Sequence, residues 1–153
     1  MMLKTTIIFS LFLSFFSPAF AQSDEATTAH DIALIQAFIQ DIASDSLRAD
    51  VILAKHVRIE NTHSDDAYDY LEASIDEIRL NLQTKNLAEI DYIPFDELPR
   101  RETRDIDPEG KPTHKMYFLW YKNRQMLAVY ISNEQIASFT LVSKGRKAHF
   151  ITY

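Results

Sequence analysis

The segment 114–143, "HKMYFLWYKNRQMLAVYISNEQIASFTLVS", decides the fold, because it holds three apolar runs separated by two short polar breaks. The runs 116–121, 125–131 and 136–142 are rich in aromatic and aliphatic residues, as strands are. The breaks "KNR" and "SNEQ" have the length and composition of hairpin turns. A fourth run, 148–153, follows the break "SKGRK". The segment therefore predicts an antiparallel meander.

The first two runs carry apolar side chains on both faces. Met116, Phe118 and Trp120 alternate with a second apolar set in the first run, and the second run repeats the pattern. Strands of this kind lie centrally in a sheet, with both sides covered. We expect one face to receive helices, with Trp120 in that core, and the other to meet a partner chain, a curled continuation of the sheet or a ligand.

Three helices are predicted before the sheet. Residues 22–29 are small and polar, and we expect a frayed start there. From Thr28 onward, isoleucines recur at helical spacing: Ile32, Ile35, Ile39 and Ile42. A short second helix follows Ser46, and the residues expected on its inner side are Leu47, Val51 and Ala54, joined by His56 or Val57. The third helix begins near Ser64 and presents one apolar face: Leu71, Ile75, Ile78 and Leu82.

After Asn86 the period shifts to two. In "AEIDYIPF", Ile90 and Tyr92 share one face, and the alternation directs Asp91 outward to solvent. The following segment 96–114, "DELPRRETRDIDPEGKPTH", is charged and contains three prolines. It is interpreted as a long loop or the tip of an extended hairpin.

The predicted class is α+β, with N-terminal helices packed on a curved antiparallel meander. This order, and stretches such as "ADVILAKHV" (49–57), resemble the cone-shaped fold of the nuclear transport factor-like superfamily, with the cystatin-like arrangement as the alternative. The resemblance covers about residues 28–153. Members generally place a strand pair before the third helix, where only "VRIEN" (57–61) is available. The superfamily holds isomerases, dehydratases, secretion-system components and non-catalytic binding domains, so the resemblance implies no single function.

Residues 1–21 have the anatomy of a secretory signal peptide. Lys4 precedes an apolar stretch, and Ala19 and Ala21 occupy the small-residue positions of a cleavage site before Gln22. The alternative is an uncleaved anchor, which Pro18 and the cleavage pattern disfavour. We therefore expect export to the periplasm or the exterior, with no membrane span after cleavage and one domain over residues 22–153.

Composition excludes several functional classes. The formal net charge is −6, and nucleic acid is an unlikely partner for so acidic a chain. The absence of cysteine removes disulfides and thiol chemistry, and two glycines cannot build glycine-rich phosphate loops. We expect no cofactor.

Several polar residues could carry chemistry. His56, His63, Asp65 and Asp66 could hold a metal or transfer a proton, but solvated caps are the simpler interpretation of a helix start. Two basic clusters are expected to be solvated tips, with docking of an acidic partner as the alternative: Arg100, Arg101 and Arg104, then Lys144, Arg146 and Lys147.

The predicted function is binding, and no catalytic or metal-ligating residue is assigned. The candidate ligand-binding or partner-binding residues are Tyr92, Tyr117, Trp120, Tyr130 and His149. For His149 a structural hydrogen bond is the simpler role. The partner would be a protein or a small apolar ligand, with a homodimer through the sheet face as a further option. The alternative is a small isomerase, dehydratase or hydrolase using a buried carboxylate and tyrosines in a pocket.

Overall fold

The computed structural model describes residues 19–60 and 64–153, and it confirms the α+β class. The helices are α1 (Ala19–Ala43), α2 (Ala49–His56), α3 (Asp65–Leu82) and α4 (Arg100–Thr103). The strands are β1 (Ile90–Pro94), β2 (Met116–Tyr121), β3 (Arg124–Ser132), β4 (Gln135–Ser138), β5 (Leu141–Lys144) and β6 (Lys147–Phe150). Within the described ranges, no helix combines the length and hydropathy needed to cross a bilayer.

The first four strands form one antiparallel sheet in sequential order, which confirms the predicted meander for β2, β3 and β4, whereas the predicted fourth run, 148–153, does not join this sheet. Tight turns join β2 to β3 and β3 to β4. Lys122 and Asn123 in the first turn, and Asn133 and Glu134 in the second, all have positive φ. Two successive positive φ values are the geometry of the hairpin turn whose twist matches that of its strands.

Helices α1 and α3 cover one face of this sheet, as their apolar periodicity predicts. Their buried side chains contact sheet residues such as Tyr117, Leu119 and Val129. The Ser64 hydroxyl accepts a hydrogen bond from the Ala67 amide and caps α3. Arg79 of α3 donates to the Ile42 carbonyl near the end of α1, which ties the two helices together.

The inner side predicted for α2 is wrong at its centre, although Leu47 and Val57 at its two ends do pack in the core. Ile52 and Leu53 are buried, whereas Val51 and Ala54 are exposed. The Val57 backbone, directly after α2, forms a parallel bridge with Ile136 of β4. We attribute the rotation of this two-turn helix to that tertiary contact, since so short a helix has too few positions for its own periodicity to decide.

The chain itself covers the second face of the sheet. Phe150 and Leu141 from the β5–β6 hairpin pack there. The segment before β2 adds Phe95, Leu98 and Ile106. Met116, Phe118 and Trp120 lie on this face, so the expectation that they face the helices is wrong. Alternation defines which side chains share a face, but not which face the helices choose.

The third apolar run, 136–142, is divided instead of forming one strand. Strand β4 ends at Ser138, and β5 and β6 pair as a separate two-stranded sheet. At the corner, the Thr140 amide donates to the Ser138 hydroxyl oxygen over 3.1 Å, and this bond substitutes for a ladder contact. The corner is what directs the hairpin onto the second face.

The charged segment 96–114 is the predicted long connection between the antiparallel strands β1 and β2, but it folds back onto the protein instead of extending into solvent. It contains α4, and its backbone pairs with the β5–β6 hairpin at Ala148, which accepts from Asp107 and donates to Asp105, each over 2.7 Å. Ile106 forms the bridge at this point. Apolar residues spaced between charged ones therefore anchor the segment, although its mean composition is polar.

Two further expectations concern the N-terminal half. Residues 22–29 are helical instead of frayed, since α1 already begins at Ala19. The segment "AQSDEATTA" has no proline or glycine to interrupt a helix. Residues 1–18 of the signal segment, and His63 of the metal hypothesis, lie outside the described residues.

Candidate functional site

The five residues predicted from sequence do not form one site. Tyr92 and Tyr117 lie on the helix side of the sheet, whereas Trp120 and Tyr130 lie on the opposite side. His149 is on β6, where it pairs with Val142 of β5 and alternates with the inward-facing Phe150. A continuous sheet separates Tyr92 and Tyr117 from Trp120 and Tyr130, so the four side chains cannot contact a common small ligand.

Tyr130 and Trp120 belong to the covered second face. The Tyr130 ring lies 6.1 Å from that of Phe150 and is almost fully buried. The indole Nε1 of Trp120 is buried as well, and it meets no acceptor among the described residues. Both side chains therefore act mainly in packing within the chain.

A buried polar cluster joins α1 to β2. Asp31 is only 1% exposed, and its carboxylate accepts from the Lys115 ammonium over 2.8 and 3.0 Å and from the Tyr117 hydroxyl over 2.8 Å. Burial, followed by the hydrogen bond to Asp31 and its charge, raises the pKa of Tyr117 well above its usual range. Tyr117 therefore stays protonated and continues to donate.

Sequence reasoning placed no functional residue at Asp31 and missed this cluster. Its position nevertheless carried a signal, because Asp31 continues the apolar stripe formed by Ile35, Phe38 and Ile42. A carboxylate on the buried stripe of a helix requires a partner. The partner itself could not be found from sequence, since Lys115 is 84 positions away.

An acidic cleft of about 370 Å³ opens between the N-terminal part of α1 and the end of β1. Its lining residues are Asp24, Thr27, Thr28, Pro94, Asp96, Glu97 and His114. Thr28 also hydrogen-bonds Tyr117, so the cleft wall adjoins the buried cluster. Neither Asp31 nor Lys115 lines the cleft, and their charges already neutralise each other.

His56 has a structural partner. Its Nε2 lies 2.6 Å from Asp41 Oδ2, which also accepts from the Lys55 ammonium over 2.6 Å. These two hydrogen bonds, that of Lys55 first, lower the pKa of Asp41. The His56 ring also packs 5.7 Å from that of Phe38. The cluster holds α2 against α1, which is the ordinary role of a half-buried histidine.

An apolar groove of about 340 Å³ lies between the first turns of α3 and the C-terminal strand region. The described residues include four exposed large apolar side chains, and two of them, Tyr70 at 60% exposure and Ile151 at 40%, line this groove. The buried Leu71 and Tyr153 also line it, with Val142 beside them. Single exposed apolar residues are common, but a contiguous apolar depression indicates a binding surface.

The polar groups at the base of the groove are already engaged. The Tyr153 hydroxyl accepts from the Phe139 amide over 3.2 Å and lies 2.5 Å from the Thr140 hydroxyl oxygen. This network fixes the tyrosine ring. The groove is therefore rigid at its base and apolar in its lining, which favours binding over acid–base chemistry.

Comparisons with known proteins identify no relative: no family model, no curated protein and no solved structure matches the chain.

Proposed function

We propose that this protein is an exported, non-catalytic domain of the nuclear transport factor-like type that binds a small apolar ligand in the groove beside α3. The observation that carries the proposal is the convergence of exposed Tyr70 and Ile151 on one apolar depression. Its volume, about 340 Å³, falls at the lower end of the range for small-molecule sites, roughly 300–1,000 Å³. A compact ring system or a short acyl chain suits this space.

A small ligand in the groove is a better candidate than a protein partner on the second sheet face. Stable protein interfaces bury on the order of 1,200–2,000 Å² in total and include aromatic anchors. The aromatic residues of the second sheet face are covered by Phe150 and residues 95–106, so they offer no such anchors. A homodimer through that face stays a prediction, and it would require this cover to move.

The alternative is a small pocket enzyme, and the buried Asp31 is the feature that favours it. Such an enzyme would use Asp31 as base and Tyr117 as donor beside the acidic cleft. Lys115 weakens this alternative, because its ammonium already occupies both carboxylate oxygens of Asp31. Tyr117 is also fully buried and could not reach a substrate.

The groove is tested with the uncharged fluorophore N-phenyl-1-naphthylamine, whose emission rises in an apolar site. We expect the wild-type protein to bind it saturably. The double variant Tyr70→Ala/Ile151→Asn should bind about tenfold more weakly, which corresponds to about 1.4 kcal/mol of lost contact. Melting temperatures should change little, because both side chains are largely exposed.

Leu80→Asn is the matched control. Leu80 lies on the same helix, is 65% exposed and does not line the groove. It should leave binding of the fluorophore unchanged. Equal weakening by Leu80→Asn, or unaltered binding in the double variant, would show that the fluorophore binds elsewhere and would remove the basis of the proposal.

A further inference from the structure

A basic depression at the opposite end of α3 is independent of the apolar groove. It has a volume of about 460 Å³ and lies between the end of α3 and the β2–β3 turn. Three cationic side chains line it, Lys85, Lys122 and Arg124. An 18-residue helix is about 27 Å long, so this depression is well separated from the groove at the start of α3.

The three cations have no anionic partner in the described part of the chain. Lys85, Lys122 and Arg124 form no ion pair, a feature they share among the described cations with Arg100 and with Lys144, Arg146 and Lys147 of the β5–β6 hairpin. Residues lining the depression include no aspartate or glutamate. Cations that line one depression without a counterion attract an anion to it. The absence of a counterion is notable in a chain of net charge −6.

Tyr121 is the residue around which these cations are grouped. Tyr121 of β2 lies directly opposite Arg124 of β3, so the two side chains project from the same face of the sheet. The ammonium groups of Lys85 and Lys122 lie 5.6 and 5.2 Å from the centre of the Tyr121 ring. The Tyr121 hydroxyl in turn accepts from the Asn86 amide over 3.4 Å, which orients the ring.

Two of the three cations, Lys85 and Lys122, also make contacts within the chain. Lys85 donates to the Asn81 carbonyl at the end of α3, and the Tyr121 ring attracts both ammonium groups. Neither contact neutralises a charge. Arg124 makes no hydrogen bond to another described residue, so its planar donor set faces the depression unengaged. Asn81 and Gln125 add uncharged hydrogen-bonding groups to the lining.

We propose that this depression binds a phosphate-type oxyanion group, with Arg124 as the bidentate donor and Lys85 and Lys122 as the flanking charges. A guanidinium matches two oxygens of such a group, and ammonium groups complete its coordination. The same group can be supplied by a soluble phosphomonoester or by an anionic lipid headgroup. Both sources present the same chemistry to these residues.

The test measures binding of phenyl phosphate and of inorganic phosphate by calorimetry at low ionic strength. Cosedimentation with phosphatidylcholine vesicles containing phosphatidic acid forms a second arm. We expect Lys122→Gln/Arg124→Gln to weaken binding at least about tenfold, and Lys85→Gln alone to weaken it measurably, because charge-assisted hydrogen bonds are lost. Binding of phenyl phosphate identifies a soluble ligand, and binding to vesicles only identifies a headgroup.

Lys144→Gln/Arg146→Gln is the matched control. It removes the same charges from the β5–β6 turn, again with one cation in the turn and one on its strand. We expect this variant to bind like the wild-type protein. Equal weakening by the two double variants would show general electrostatic attraction and overturn the proposal, as would a wild-type protein that binds neither the phosphates nor the vesicles. Binding of the uncharged fluorophore should be unchanged in both variants, so failure here is distinguishable from failure of the groove.

Discussion

At the scale of single residues, the buried cluster of Asp31, Lys115 and Tyr117 determines how α1 is attached to the sheet. Removing one member of a buried charge pair leaves the other uncompensated, which is costlier than losing a surface pair. The Tyr117 hydroxyl contributes a hydrogen bond to a charged acceptor, worth about 1.5–3 kcal/mol. Because burial raises the pKa of Tyr117, this residue also makes the stability of the fold sensitive to alkaline pH.

We predict that Tyr117→Phe lowers the free energy of unfolding by about 1.5–3 kcal/mol at pH 8, since that hydrogen bond is lost. The wild-type protein should also lose stability as the pH rises above about 10, the pKa of an unfolded tyrosine. The folded pKa of Tyr117 is raised, so the unfolded state releases its proton first and is favoured at higher pH. The phenylalanine variant should show a smaller alkaline loss.

Urea denaturation at pH 8 and pH 11 measures both effects. Tyr70→Phe is the control, because Tyr70 is exposed, and it should behave like the wild-type protein at either pH. Tyr92 and Tyr153 also have a raised pKa through burial, so some alkaline loss should remain in Tyr117→Phe. An alkaline loss identical to that of the wild-type protein would contradict the role given to Tyr117.

At the scale of secondary-structure elements, the β5–β6 hairpin gives the sheet its second layer. Phe150 is buried between Phe118 and Tyr130, with ring centres 6.2 and 6.1 Å away. Trp120 lies at the edge of the same cluster and is only partly buried. The hairpin therefore contributes to stability through Phe150 more than through contacts with Trp120.

We predict that Phe150→Ala destabilises the fold by about 3–5 kcal/mol, as truncation of a buried aromatic side chain does. Trp120→Ala should be less destabilising, because part of its surface already meets solvent. Urea midpoints of the two variants provide the comparison, and Trp120 emission in Phe150→Ala should shift to longer wavelength. A Trp120→Ala variant less stable than Phe150→Ala would reverse this ranking.

At the scale of the whole molecule, the predicted cleavage has to be compatible with the fold. The predicted cleavage before Gln22 would remove only three residues of α1 from the described structure. Asp31 is the first buried residue described in that helix, and the residues from Asp24 to His30 are exposed or half-buried. The proposed mature chain thus retains every described core contact.

We predict that the exported protein begins at Gln22 and that this form melts at the same temperature as a chain that starts at residue 19, because Ala19–Ala21 precede every described core residue. Intact-mass spectrometry of the exported protein identifies its first residue. Thermal unfolding followed by circular dichroism compares the melting temperatures of the two forms. A mass that still includes residues 1–21 would contradict cleavage and leave the N-terminal segment as an anchor.

The order of the first three helices and the strands β1 to β3, together with the β2–β3 and β3–β4 turns, could be read from the sequence by itself. The spacing of isoleucines in α1, the Ser64 cap of α3 and the two-residue turns are local signals, since periodicity and turn chemistry act over a few neighbouring residues. For the same reason, alternation correctly placed Asp91 outward in β1. The export signal is local as well, and it stays a prediction.

Only the tertiary structure decided which sheet face the helices cover, where run 136–142 breaks, and which residues of α2 are buried. Each depends on contacts between residues distant in sequence, such as Val57 with Ile136 or Ile106 with Ala148. The candidate sites depend on tertiary structure for the same reason, because α3 meets the C-terminal residues at one end and the β2–β3 turn at the other. Local patterns determine elements, whereas burial is shared among distant segments and is fixed only when they pack together.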